Sequence, residues 1–188
     1  MTDRSAKPVM RHGVRFECVQ GDIARQTDMD AVVNAANAQL TTGGGVAGAL
    51  HRAAGPGLAD ECAAMAPIRP GEAVISGAHQ LPNRHVIHCL GPVYGADQPE
   101  ADLLASCYDN AIDLAEAHSL HSIAFPALST GAFGYPMEAA ARVAFTTLLA
   151  RTSSLRSVGH VRLVLFDKAD LELHTRVLND ISAEDASA

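Results

Sequence analysis

The sequence predicts a single α/β domain with a sheet covered by helices on both faces. Three observations predict it. Short apolar runs alternate along the chain with segments of about 10–15 residues whose apolar positions recur at helical spacing, the pattern of strands joined by crossover helices. Apolar residues make up 48% and charged residues 19% of the 188 residues, a globular balance that excludes disorder, collagen and coiled coil. A chain of this length buries about 70% of the surface it exposes when unfolded, so its core needs no metal or disulfide staple.

The elements follow in order. Met1–Gly13 and Ala183–Ala188 are polar or small and are expected as loose termini, leaving one domain over 14–182. Val14, Phe16 and Cys18 alternate with Arg15, Glu17 and Val19, the period of a half-buried strand. Ala31–Val33, Ala73–Ser76, Val86–Leu90, Ser122–Phe125 and Val161–Phe166 are short apolar runs that predict further strands. A helix is expected to start near Val46. Leu104, Tyr108, Ala111 with Ile112, and Ala115 predict another. Met137, Ala141, Phe145 and Leu149 predict a third, with Pro136 suited to its first position. Leu171, His174, Leu178 and Ile181 predict a last amphipathic helix.

Charge and composition narrow the function. Fourteen Lys and Arg stand against 21 Asp and Glu, a net charge of −7. A nucleic-acid partner is not expected, because the basic footprint it requires is missing. Aromatics are 4% and Trp is absent, so no stacking platform for single strands is expected. An anionic ligand is compatible with this charge if main-chain N–H groups bind it. Cys18, Cys62, Cys89 and Cys107 are far apart, without a Cys-x-x-Cys pair, which speaks against a zinc knuckle and a disulfide scaffold. Lys7–Gly13 interrupts any apolar leader, and no run approaches the ~18 apolar residues of a membrane span. A monomeric cytoplasmic protein without membrane contact is expected. His85 and His88 are three apart on a predicted strand and point to opposite faces, and His118 and His121 flank a helix end, so no metal site is expected.

In such sheets, ligands bind at loops leaving the carboxyl ends of strands, and two loops stand out. In Val32–His51, Gly43–Gly45 precede the predicted helix. Glycines permit close backbone approach, and a helix N-terminus offers free N–H groups and partial positive charge, a setting for phosphate. Gly43, Gly45 and Gly48 also spell G-x-G-x-x-G, but Val33–Thr42 separate them from the strand and no acidic strand end follows, so the dinucleotide context fails; the Gly-Lys-Ser/Thr of a P-loop is missing as well. Asn34 suits a turn, whereas Asn37 suits a ligand, because an amide side chain both donates and accepts. In Ser122–Tyr135, a buried strand runs into a small polar loop. Ser129, Thr130 and Gly131 offer backbone and hydroxyl donors to a second side of a phosphate. Phe133 either lids a ligand or packs against the next helix. Ser129 half-matches a nucleophile elbow, with Ala127 in place of the first glycine; Asp167 or Asp170 with His174 would have to complete such a triad.

Asn34-Ala-Ala-Asn37, Gly43-Gly-Gly-Val46, His51-Arg-Ala-Ala-Gly55, His88-Cys-Leu-Gly-Pro92, Ser129-Thr-Gly-Ala-Phe-Gly134 and Gly21-Asp22-Ile23 stand in the order seen in macrodomains. The chain resembles that family over roughly Val14–Leu178. It is most similar to the MacroD-type branch, while Gly-Gly-Gly-Val-Ala-Gly-Ala-Leu and Phe166-Asp167-Lys168 also resemble coronaviral macrodomains. The resemblance implies a three-layer α/β/α macrodomain fold around a mixed, mainly parallel sheet, with an ADP-ribose cleft at its crest and no cofactor. It implies that Asp22 accepts a hydrogen bond from the adenine amino group beside the Ile23 N–H, and that Phe166 lies against the ring. Gly43, Gly44, Gly45, Val46 and Ala47 would grip the diphosphate from one side, and Ser129, Thr130, Gly131, Ala132 and Phe133 from the other. Asn37 would hold the distal ribose under Phe133. Asn34 joins these ADP-ribose-binding residues through its place in the motif. Hydrolysis of O-acetyl-ADP-ribose or of ADP-ribosylated acidic side chains in proteins is the implied activity, with Asn37, Gly45 and Phe133 supplying catalytic geometry. Many relatives carry Asp where this chain has Ala47, and a non-catalytic ADP-ribose reader is the alternative.

Overall fold

A computed structural model describes residues 6–187. Its strands are β1 (Val9–Arg11), β2 (Val14–Gln20), β3 (Ala31–Ala35), β4 (Ala73–Gly77), β5 (His85–Cys89), β6 (Ser122–Phe125) and β7 (His160–Leu165). Its helices are α1 (Gly45–Ala54), α2 (Gly57–Ala63), α3 (Glu100–Ala117), α4 (Met137–Arg151) and α5 (Lys168–Ala186). The strands form one sheet in the order β1-β2-β7-β6-β3-β5-β4. From β2 to β5 all pairings are parallel, and β1 and β4 close the edges antiparallel. The sheet is therefore mixed and mainly parallel, as expected.

Parallel strands sit covered on both faces, and the burial shows it. Phe16, Val33, Ile87, Phe125 and Leu163 enter a core with α3, α4 and α5. Val19, Val32, Val86, Ala124 and Val164 enter a second core with Leu50 of α1 and Leu58 of α2. Three layers result. The four cysteines are buried free thiols. Among the described residues, no helix is long and apolar enough to cross a membrane.

Two expectations about the ends need correction. Residues 9–13 are not loose: Val9, Met10 and Arg11 pair with Phe16, Arg15 and Val14. His12 and Gly13, at φ 46° and 80°, make the tight two-residue connection whose positive φ values suit the twist of a hairpin. Residues 183–186 continue α5, and Arg11 reaches Asp185 at 3.3 Å. The loose termini expected for 1–5 and 188 lie outside the described residues. The short α2 was not anticipated, since only Leu58 and Cys62 of it are buried and seven residues carry too little periodicity. Pro136 caps α4 from one position before its start.

Candidate functional site

The five parallel strands end along one crest. After β2 comes Gly21–Asp22, after β7 Phe166, after β6 the loop 126–136, after β3 the loop 36–44, and after β5 the segment 90–97. Short contacts tie these segments together. The Gly21 N–H donates to Leu165 O at 2.9 Å, the Ala36 N–H to Cys89 O at 2.9 Å, and the Tyr94 N–H to Phe133 O at 2.9 Å. Gln20 Nε2 donates to Phe166 O at 3.4 Å.

On the β3 side, Asn37 shapes the loop. Thr41 N donates to Asn37 Oδ1 at 3.1 Å, and Asn37 Nδ2 donates back to Thr41 O at 3.2 Å. Gly44 is the N-cap of α1, and Gly45 opens the helix at φ +55°, a left-handed conformation that favours glycine. Gly48, one turn in, lies directly under the Gly43 carbonyl, leaving no room for a Cβ. That close approach holds the loop against the helix start. Among the described residues, the N–H groups of Gly43, Gly44, Gly45 and Val46 donate no hydrogen bond. They add to the partial positive charge of the helix N-terminus. Ala47 follows, 6% exposed.

On the β6 side the structure changes the expected donor set. Ser129 sits at φ +66°, and its Oγ is buried without a partner, wedged where Gly91 lacks a side chain. Thr130 Oγ1 donates to Ala127 O at 2.7 Å. The Thr130 hydroxyl is thus spent on the Ala127 turn, and the Ser129 hydroxyl is buried against Gly91 without a partner. What remains are the N–H groups of Gly131, Ala132 and Phe133, which donate to nothing among the described residues. Phe133 is half-buried and packs against the α1/α2 core, so its ring has both a packed side and an open one.

Asn34 is corrected on both counts. It is no turn residue but a buried member of β3, 0% exposed, paired in register with His88. Alternation puts it under the sheet beside Val32, away from the open crest. Its Nδ2 donates to His88 Nδ1 at 3.1 Å. The expected separation of His85 and His88 holds: the His85 ring meets His118 of the α3 end, while His88 faces Ser76 and Cys62. Asp22 and Ile23 stand at the other end of the crest. The Asp22 carboxylate accepts the Ala24 N–H at 2.9 Å and leaves its second oxygen 3.8 Å from Arg25. Phe166, closing β7, is 89% exposed, an unusual position for a large aromatic. Gly91, which backs the Ser129 loop, belongs to the His88-Cys-Leu-Gly-Pro92 motif, where sequence alone assigns it no role of its own, and Tyr94 lies outside every motif.

The arrangement suits an extended anion. Two loops on adjacent parallel strands, β3 and β6, present unspent amides, and neither 36–46 nor 126–136 contains a Lys or Arg. The triad reading of Ser129 fails, because His174 is buried with its Nδ1 donating to Asp170 O at 2.8 Å and its ring packed on Phe145, and among the described residues no hydrogen bond joins it to Ser129. Two open concavities of about 530 and 520 Å³ lie away from the crest, one along α5 beside Ala6 and the other between Met65 and Asn110.

The Macro domain family matches residues 33–144. A Macro domain-containing protein of Chlorobaculum tepidum, CT2219, is 44% identical over 170 residues, covering 90% of this chain and 98% of that protein. An O-acetyl-ADP-ribose deacetylase of Salmonella typhimurium is 45% identical over 169 residues, covering 87% of this chain and 94% of that one. Among solved structures, the Oceanobacillus iheyensis macrodomain with ADP superposes with a TM-score of 0.92 at 36% identity, covering 98% of this chain and 100% of that one.

Proposed function

The chain belongs to the macro domain family, and we propose from this premise that it binds ADP-ribose along the crest and hydrolyses the ester joining ADP-ribose to an acyl group, in the manner of the MacroD-type branch. The observation that carries the reading is the pair of loops with free amides and no basic side chain. Charge-assisted N–H bonds contribute about 1.5–3 kcal/mol each, so several outweigh the unfavourable field of a net charge of −7.

In this reading Gly43–Val46 and Gly131–Phe133 clamp the diphosphate. Asp22 accepts from the adenine amino group beside the Ile23 N–H, and Phe166 covers the ring. Asn37 and Phe133 hold the distal ribose. With Ala47 in place of a carboxylate, the water relies on the substrate. It is held between diphosphate and anomeric carbon, and a phosphate oxygen takes its proton as the new C–O bond forms. For an acyl group on the anomeric carbon, the bond to the acyl oxygen breaks and the carboxylate leaves with the electron pair; for an acyl group on another ribose hydroxyl, the water adds to the acyl carbonyl carbon instead and the ribose oxygen leaves and takes up the proton. A carboxylate leaving group needs little acid assistance, so orientation supplies most of the acceleration. The second reading, a reader that binds without turnover, draws on the apolar Ala47 at 6% exposure.

Incubation with a glutamate-ADP-ribosylated protein and with O-acetyl-ADP-ribose separates them. Release above buffer supports the hydrolase; tight ADP-ribose binding without release at stoichiometric protein establishes the reader. Asp22→Asn is expected to weaken ADP-ribose by about 1–3 kcal/mol. The variant keeps an oxygen for the Ala24 N–H but presents a donor to the adenine amino group; unchanged affinity in titration calorimetry would remove Asp22 from the site. Ala47→Asp is expected to raise release about tenfold or more, since a carboxylate in the first turn of α1 is stabilised by the helix and can act as a base. An equal or lower rate would show that the water is organised elsewhere.

A further inference from the structure

The segment 22–29 between β2 and β3 carries only one 3-10 turn, Ile23–Arg25, yet it is held by an ionic cluster, buried at Arg162 and Glu17 and exposed at Asp28, that the proposed chemistry does not use. Its centre is Arg162 of β7, 7% exposed, a cation in the middle of an apolar strand. Glu17, its registered neighbour on β2, accepts from Arg162 Nε at 2.8 Å and lies 2.6 Å from His160 Nε2. Arg162 Nη1 and Nη2 make a forked pair with Asp28 at 2.7 and 2.8 Å. Burial pushes the Glu17 carboxyl upward, but the hydrogen bonds from Arg162 and His160 outweigh it and hold it below its ordinary value.

The remaining contact leads to the crest. Arg162 Nη1 donates to Gln26 Oε1 at 2.9 Å, and Gln26 Nε2 donates to the main-chain oxygen of Asp22 at 2.9 Å. A guanidinium only donates and a carbonyl only accepts, so the Gln26 amide has a single orientation that satisfies both. Asn83 Nδ2 fastens the far end of the segment, donating to Gln26 O and Met29 O at 2.7 Å each. A partly buried ion cluster is poor evidence for stability; it is a good device for fixing one backbone conformation.

We propose that Gln26 and Arg162 are positioning residues for nucleobase recognition: they hold the Asp22 main chain from beneath, so that its carboxylate and the Ile23 N–H meet the base already aligned. This rests on the assignment of Asp22 to adenine. The chain Arg162–Gln26–Asp22 sets the difference in affinity between adenine and a purine that lacks the amino group, while the diphosphate clamp on β3 and β6 is untouched.

The test measures binding of ADP-ribose and of its hypoxanthine analogue, inosine diphosphate ribose, to wild type, Gln26→Met and Gln26→Glu. Gln26→Met removes both bonds at similar length. Gln26→Glu keeps an acceptor for Arg162 and replaces the donor to Asp22 O by a carboxylate oxygen that repels it, with the added charge facing Arg162, so it remains informative if the first variant is poorly folded. Wild type is expected to prefer ADP-ribose. Both variants are expected to lose about fivefold in ADP-ribose affinity and to bind the analogue within twofold of wild type, so the preference collapses. A merely structural role would lower both ligands together. Wild-type preference preserved in both variants overturns the positioning role alone. Absence of any preference in wild type instead overturns the assignment of Asp22, and the positioning role with it.

Discussion

Gly48→Ala is expected to abolish most ADP-ribose binding, lowering affinity by more than about 100-fold, while the far-ultraviolet circular dichroism stays close to wild type. An added Cβ at this position would fall on the Gly43 carbonyl oxygen and stand 3.0 Å from Arg52 Nη1. The arginine end can swing away, but the Gly43 carbonyl is main chain and must move. Moving it rotates the peptide plane that carries the Gly44 N–H, and Gly45 follows. Loss of one or two charge-assisted amide bonds removes about 3 kcal/mol, more than two decades in affinity. The α3–α5 core lies on the other face of the sheet and should persist. Near-wild-type affinity in calorimetry would show that the β3 loop is not a phosphate clamp.

Much of the fold was legible because its chemistry is periodic. Strands buried on both faces must be continuous apolar runs, and Val32-Val33, Val86-Ile87 and Ile123-Ala124-Phe125 are such runs. Helices that cover one face repeat Leu104, Tyr108, Ala111 and Ala115 at helical spacing. What escaped lacks either signal. β1 has three residues, with half-buried Val9 and Arg11 around an exposed Met10, and its hairpin turn uses His12 at positive φ where Asn would have been the readable residue. Segment 22–29 is held by Arg162 and Asn83, partners more than 50 residues away in sequence, and no local pattern encodes such a contact.

The site divides in the same way. The glycines of 43–48 and the small residues of 129–134 announce themselves, because free amides require residues that leave space. Which groups in those loops are free does not follow from residue type. Ser129 and Thr130 carry hydroxyls that their residue types offer to a ligand, yet one is buried in the space beside Gly91 and the other donates to the Ala127 carbonyl. Asn34 shares a motif with Asn37, but the three-residue offset crosses the end of β3. One side chain goes under the sheet to His88, and the other shapes the loop above it through Thr41.

That buried Asn34–His88 contact should make the fold sensitive to acid. His88 is 0% exposed, and burial, reinforced by His51 on α1 and opposed by Glu61 on α2, lowers its pKa from 6.5 to about 4. Around it stand Asn34 of β3, Ser76 of β4 and Cys62 of α2, none of which compensates a positive charge. The unfolded chain therefore takes up a proton at this histidine below pH 6.5 while the folded chain does not until about pH 4. Stability contributed by neutral His88 is present above 6.5 and is lost as pH falls through that window, by about 3 kcal/mol in total. His51 and His174, lowered by burial, add in the same direction. Glu17, held low by Arg162 and His160 against its burial, loses its contribution only further into acid, below the ordinary carboxylate range. Urea unfolding at pH 7 and pH 4.5 is expected to show wild type losing roughly 2–3 kcal/mol. His88→Gln, which keeps a polar group but cannot titrate, should be less stable at pH 7 and lose distinctly less on acidification. Equal losses in the two proteins would mean that His88 accepts its proton without unfolding, through a rearrangement of Asn34 that turns its unpartnered Oδ1 toward the ring.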